Sequence, residues 1–130
     1  MARLTIIMDI DGTICPIKEK AANYEDLKPY QTVLDKLNEY REKGAYIILY
    51  TSRNMKTHKG NIGLINVKTA KILLEWLEKW EVPYDEIIYA KPWPGENGFY
   101  VDDRSIRPDE FIKYSVDELN MLIDESRKEL

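Results

Sequence analysis

"IIMDIDGTIC", residues 6–15, decides how this chain is read. An apolar run ends in Asp9, a second carboxylate follows at Asp11, and Gly12 and Thr13 lead back into apolar residues. With Leu4 and Thr5 in front, residues 4–8 are continuously apolar or β-branched, which predicts a parallel strand buried on both faces. A DxD after a strand can be no more than a turn with an Asx cap. Two carboxylates at the end of a buried strand are costly to place, however, and the rest of the chain has to say why they are there.

Working outward, residues 14–28 have no clean period and read as a loop. Residues 30–43 place Val33, Leu34, Leu37 and Tyr40 at helical spacing, and Gly44 is a natural stop. Residues 45–50 (AYIILY) predict a second buried strand, and residues 51–65 a polar loop. A helix is predicted over 67–80 on Ile72, Leu73, Trp76, Leu77 and Trp80, with Pro83 beyond its end. Residues 86–90 predict a third strand and 99–101 (FYV) a fourth, ending in Asp102 and Asp103. A short helix after Pro108 and a terminal helix over 116–128 complete the pattern.

Strands alternating with helices predict an α/β fold, a parallel sheet covered by helices. Ligands of such sheets sit at the carboxyl ends of the strands. Four strand ends here carry chemistry: Asp9 with Asp11, Thr51 with Ser52 and Arg53, Lys91, and Asp102 with Asp103. The topology is expected to bring all four to one edge.

Several carboxylates close together raise each other's pKa, and a hard cation relieves them. Mg²⁺ suits this, because it takes one or two carboxylates together with waters and phosphate oxygens. Lys91 adds a second positive charge and Thr51 a hydroxyl donor, so the assembly reads as a phosphate site. One aspartate can accept a phosphoryl group covalently, and a second can move the protons. Gly12 and Thr13 open the strand into a loop whose N–H groups can face phosphate. Arg53 is a candidate for binding an anionic group.

The chain has 130 residues, 44% hydrophobic and 32% charged, as expected of one globular domain over 1–130. A net charge of -4 argues against broad binding to nucleic acid or anionic lipid. Cys15 is the one cysteine, so no internal disulfide forms, and with no histidine nearby in sequence a catalytic thiol is not expected. No stretch approaches the roughly 18 apolar residues of a membrane span. No leader is visible, and a cytoplasmic protein is the expectation.

Together the motifs IIMDIDGTI, LYTSR, YAKP and FYVDD resemble, in order, the four motifs of the haloacid dehalogenase-like (HAD) superfamily of aspartyl-phosphate phosphohydrolases. The resemblance spans residues 5–103. It implies a Rossmann-like three-layer α/β/α fold with a central parallel sheet and, since no segment is long enough for one, no large cap domain. It implies Asp9 as nucleophile, Asp11 as general acid and base, Thr51 and Lys91 on the phosphoryl group, and Gly12, Thr13, Ser52 and Arg53 toward the substrate. Mg²⁺ would be held by Asp9, the backbone carbonyl of Asp11, and Asp102; Asp103 would stand in the metal's outer sphere or partner Lys91, and the order of Asp102 and Asp103 stays open. More narrowly, KP…YVDDR followed by RPDEF (107–111) is similar to small family members of capsule or lipopolysaccharide biosynthesis, which implies a sugar phosphate or related metabolite as the small phosphorylated substrate. A capless member takes an extended substrate or borrows a neighbouring subunit as lid, so a homo-oligomer is one expectation. Two other readings stay open: a phosphatase of nucleic acid ends, and a receiver-like domain that holds phosphate on Asp.

Overall fold

The computed structural model describes residues 3–130. They fall into two compact units, one ending at Trp93 and the other spanning Pro94–Leu130. The first holds a three-stranded parallel sheet in the order β1-β2-β3, with β1 at Thr5–Met8, β2 at Tyr46–Tyr50 and β3 at Glu86–Ile88. Helix α1, Gln31–Glu42, joins β1 to β2. A three-part helix joins β2 to β3: α2 at Ile62–Leu64, a π-helical stretch at Ile65–Thr69, and α3 at Ala70–Lys79. The second unit carries α4, Pro108–Lys113, and α5, Val116–Lys128. The fold class is α/β, and among the described residues no helix is long and apolar enough to cross a membrane.

Both crossovers step the same way along the sheet. Since such crossovers are right-handed, both must lay their helices on the same face. The register agrees. Ile6 and Met8 share a face with Ile47, Leu49 and Ile87, and Met8, Ile47 and Leu49 are buried. Val33, Leu34, Leu37 and Tyr40 of α1 and Leu73, Trp76 and Leu77 of α3 complete that core. Each fully buried Leu or Ile there contributes about 2 kcal/mol.

The opposite face corrects the expectation for β1. Ile7 is 64% exposed and Ile88 45%, so β1 is buried on one face only. Near its far end this face is partly polar: the Tyr46 hydroxyl donates to Glu86 (2.5 Å), and the Arg3 guanidinium lies 4.3 Å from the Tyr46 ring. Residues 99–101 are a second correction. They form no strand, and Phe99 and Val101 are 79% and 87% exposed. A three-residue apolar run has the propensity of a strand, but a strand exists only with a partner to complete its ladder.

The helix before β3 starts at Ile62, not 67. The Asn61 side chain accepts from Leu64 N–H (3.1 Å) and caps it. In the π-helical stretch the Thr69 hydroxyl donates to Asn54 Oδ1 (2.7 Å), tying the helix to the loop after β2. Gly44 ends α1 at φ +88.

Asp85 fastens β3 to its neighbours. Its N–H donates to Ile47 O (2.8 Å), its carboxylate accepts from Ile47 N–H (2.8 Å), and Arg41 Nη1 reaches it at 3.0 Å. The Ile47 N–H and Arg41 hold its carboxyl below the usual value. A lowered pKa contributes stability that is complete above the ordinary value near 3.8 and lost as pH falls through the lowered one. Asp85→Asn is therefore expected to flatten the acid limb of a stability-against-pH curve below pH 4 and to lower the melting temperature at pH 7. Unchanged melting at both pH values would refute this.

Candidate active site

Three strand ends converge in the first unit. After β1 the chain turns tightly. The Ile10 carbonyl accepts from the N–H groups of Thr13 (3.0 Å), Ile14 (2.8 Å) and Cys15 (3.3 Å), and Gly12 N–H donates to Cys15 O (2.7 Å). Gly12 sits at φ +87, and a Cβ there would meet Ile17 at 3.3 Å, so the turn requires glycine. It brings Thr13 back over Asp9, where its hydroxyl donates to Oδ2 (3.1 Å).

Beyond β2 and β3 the ladder continues one step. Thr51 N–H donates to Ile88 O and Lys91 N–H to Thr51 O, both at 3.0 Å. Between them Ala90 adopts φ +63, a left-handed conformation that costs a non-glycine residue about 1–2 kcal/mol. The turn re-aims the chain, and Lys91 Nζ stands 3.6 Å from Asp9 Oδ1. Asp9 thus has one oxygen on a hydroxyl and the other facing an ammonium. Burial raises its pKa, Lys91, Thr13 and the Ile10 N–H pull it back, and Asp11 adds to the rise.

Asp11 is gripped by Arg53. Nε donates to Oδ2 (3.0 Å) and Nη2 to Oδ1 (2.8 Å), a bidentate fork. Arg53 is 4% exposed, with its guanidinium 4.2 Å from the ring of Tyr24. Burial works against the charge, but the Asp11 bonds outweigh it and raise the Arg53 pKa further. Its Nη1 is buried with no hydrogen-bond partner among the described residues. Such a donor invites an anion or a water. Arg53 N–H also donates to Thr51 Oγ1 (3.0 Å), which leaves that hydroxyl's own proton to be donated elsewhere.

The first unit therefore brings together Asp9, Asp11, Gly12, Thr13, Thr51, Arg53 and Lys91, with half-buried Ser52 between Thr51 and Arg53. Asp102 and Asp103 belong to the second unit. There Ser105 donates to Asp102 (3.3 Å) and Arg127 to Asp103 (2.8 Å), a bond that holds the Asp103 carboxyl below its usual range. Asp103 pairs with Arg127, and Lys91 with Asp9. Cys15, fully buried, has its pKa pushed up to about 12, mainly by burial, and stays a protonated thiol.

Tyr24 is the site residue that the sequence did not disclose. It lies in a 3₁₀ turn, Tyr24–Asp26, within the irregular stretch 14–28. The turn is held in place by Trp76, whose indole N–H donates to Leu27 O (2.8 Å). No local pattern in the sequence pairs it with Arg53, 29 positions on.

Among the described residues no group of three or more His, Cys, Asp or Glu forms a metal cage. Asp9 and Asp11 lie two residues apart at one strand end, and one or two carboxylates are what the protein contributes where a Mg²⁺ keeps most of its ligands as water and phosphate oxygens. The residues fit such an open site and would not fit a closed one.

No family model and no curated protein matches this chain. Among solved structures, the crystal structure of a structural-genomics target from Vibrio cholerae is similar at 41% identity and a TM-score of 0.89, over 95% of this chain and 98% of that one. Identity at this level across nearly the whole of both chains shows that this chain belongs to the same family as the Vibrio cholerae protein.

Proposed function

We propose that the chain is a Mg²⁺-dependent phosphomonoester hydrolase that works through a phosphoaspartate on Asp9. The observation that carries this is the Asp9 carboxylate itself: half-buried, oriented by Thr13 at 3.1 Å, facing Lys91 at 3.6 Å, with a second carboxylate two residues on. A carboxylate held by a fixed hydroxyl and a cation is positioned for attack on phosphorus. The reading carries with it the three-layer Rossmann-like sandwich as the complete fold, a cytoplasmic location, and a sugar phosphate or related metabolite of surface-polysaccharide biosynthesis as substrate.

An Asp9 oxygen bonds to phosphorus as the ester P–O bond breaks, and the leaving oxygen takes a proton from Asp11. Asp11, now a carboxylate, takes a proton from water as the water oxygen bonds to phosphorus. The Asp9–phosphorus bond breaks and inorganic phosphate leaves. Both Asp11 oxygens accept from Arg53, so a proton on Asp11 requires one tooth of that fork to open. Thr51 and Lys91 donate to the phosphoryl oxygens. Arg53 Nη1 is the donor left for the substrate's anionic part. Asp9 and Asp11 would hold Mg²⁺, which when bound supplies positive charge to the phosphoryl group.

The test is phosphate release from a panel of phosphorylated sugars, nucleotides and short oligonucleotides, with Mg²⁺ and with chelator. Mg²⁺-dependent release is expected, highest on sugar phosphates. A folded protein that releases nothing, but keeps label for minutes after acetyl phosphate, would replace the hydrolase with a phosphate-holding receiver.

A further inference from the structure

We propose that Thr69 and Asn54 are positioning residues for Asp11: they set the direction of Arg53 and, through its guanidinium, the place from which Asp11 hands over its proton. The proposal rests on the function proposed above, and its experiment reads the arginine separately from turnover.

Thr69 stands where the core stripe of the crossover helix calls for an apolar residue. Ile65, Thr69 and Leu73 follow one another at intervals of four, and all three are buried, Thr69 at 2% exposure. Valine would fill this position with nearly the same shape and no polar atom to satisfy. Threonine brings a hydroxyl that must find a partner. It finds one outside the helix, donating to Asn54 Oδ1 at 2.7 Å. The backbone that carries it is π-helical from Ile65 to Thr69, and such single wide turns occur frequently at functional sites.

Asn54 receives that bond where the loop after β2 changes direction. Its φ is +63, in the left-handed region that asparagine tolerates better than most residues. The rest of Asn54 is tied as well. Its amide nitrogen reaches Thr57 Oγ1 at 3.5 Å, and its carbonyl accepts from His58 N–H at 2.9 Å.

One peptide earlier stands Arg53. Its N–H donates to Thr51 Oγ1 (3.0 Å), and its side chain forks onto both oxygens of Asp11. The peptide between residues 53 and 54 is thus fixed from both sides, by Thr51 on one and by Thr69 through Asn54 on the other. A small rotation of that peptide is magnified along the Arg53 side chain to its guanidinium, and Asp11 follows. A displacement of about 1 Å caused far from the chemistry can cost about 10²-fold in rate.

Thr69→Val removes the hydroxyl and keeps the shape, whereas Thr69→Ser keeps the hydroxyl. Each is measured by kcat/KM on the most active sugar phosphate of the panel and on 4-nitrophenyl phosphate. As Asp9 bonds to phosphorus and the ester P–O bond breaks, a sugar oxygen needs the Asp11 proton, but nitrophenolate leaves without it. Thr69→Val should lower kcat/KM about tenfold or more on the sugar phosphate and less than about threefold on the aryl ester. Thr69→Ser should restore most of the native ratio. A role confined to stability would lower both alike. The second readout is the NMR resonance of the Arg53 Nε–H group, assigned by its loss in Arg53→Lys. It should shift in Thr69→Val and return in Thr69→Ser. Asn54→Gly, which keeps the left-handed turn without the side chain, should reproduce both effects, and adding Thr69→Val to it should cost nothing more. Equal losses on the two esters, or an unmoved Arg53 resonance in folded Thr69→Val, overturn the proposal. A native chain that splits neither ester overturns the hydrolase reading and the Asp11 role with it, while a shifted Arg53 resonance still upholds the link from Thr69 to Arg53.

Discussion

Asp9→Asn is expected to lower phosphate release by about 10⁴-fold or more while the protein melts at or above the native temperature. The two effects have separate causes. Asparagine is nearly isosteric and can still accept from Thr13, but its amide forms no phosphoaspartate, so the covalent path closes. Stability moves the other way because burial raises the Asp9 pKa. A carboxyl whose folded pKa lies above its unfolded value costs the native state stability at pH 7, where it is ionised, and relieves that cost as pH falls through the raised value. A neutral side chain removes the cost at every pH. Losing the Lys91 partner offsets part of the gain, since Lys91 keeps some contact with solvent. Phosphate release and thermal melts on one preparation check both. Activity within tenfold of native would exclude Asp9 as nucleophile, and a large drop in melting temperature would mean that its charge supports the fold.

The second large effect is expected at Arg53. Arg53→Ala removes a bidentate partner from Asp11 and the cation from the Tyr24 ring, and it hollows a buried position. Breaking a buried ion pair costs about 3–5 kcal/mol, and the lower end applies because Asp11 reaches solvent. Chemical denaturation should therefore show a loss of about 3 kcal/mol. In the double variant Arg53→Ala, Asp11→Asn the loss should be less than the sum of the single ones by 1 kcal/mol or more, since the second change removes the carboxylate that the first leaves unpaired. Arg53→Lys should recover only part, because an ammonium can neither fork across two oxygens nor stack flat on Tyr24. A single-variant loss below about 1 kcal/mol would show that the fork is incidental.

Much of this was readable from residue order. Helices α1 and α5 lie within a residue or two of their predicted limits, because their apolar residues keep one helical phase from cap to cap. Three of the four strand ends meet as the alternation of strands and helices required. Elsewhere local pattern gave way to context. The five apolar or β-branched residues 4–8 look alike on both faces, and only the direction of two crossovers decides that Ile7 faces out. The start at Ile62 was hidden because the π-helical stretch shifts the phase between α2 and α3. Arg53 was legible as an anion-binding residue, but its partner lies 42 positions away on another strand's loop, and no local signal links the two. Tyr24 was lost in a segment whose shape is set by one indole bond from α3.

The order β1-β2-β3 also bears on how the molecule is made. Each strand pairs with the one synthesised just before it, so the sheet grows by addition at one edge, and each pairing, such as Thr5 with Tyr46 or Ile48 with Glu86, closes over one helical crossover. Such a sheet can assemble while the rest of the chain is still on the ribosome. Asp9, Thr51 and Lys91 then meet before residues 94–130 have emerged, on a unit whose Ile7 and Ile88 are exposed. Expression yield should therefore respond more to polar substitution at Ile7 and Ile88 than to changes of equal size in the finished core.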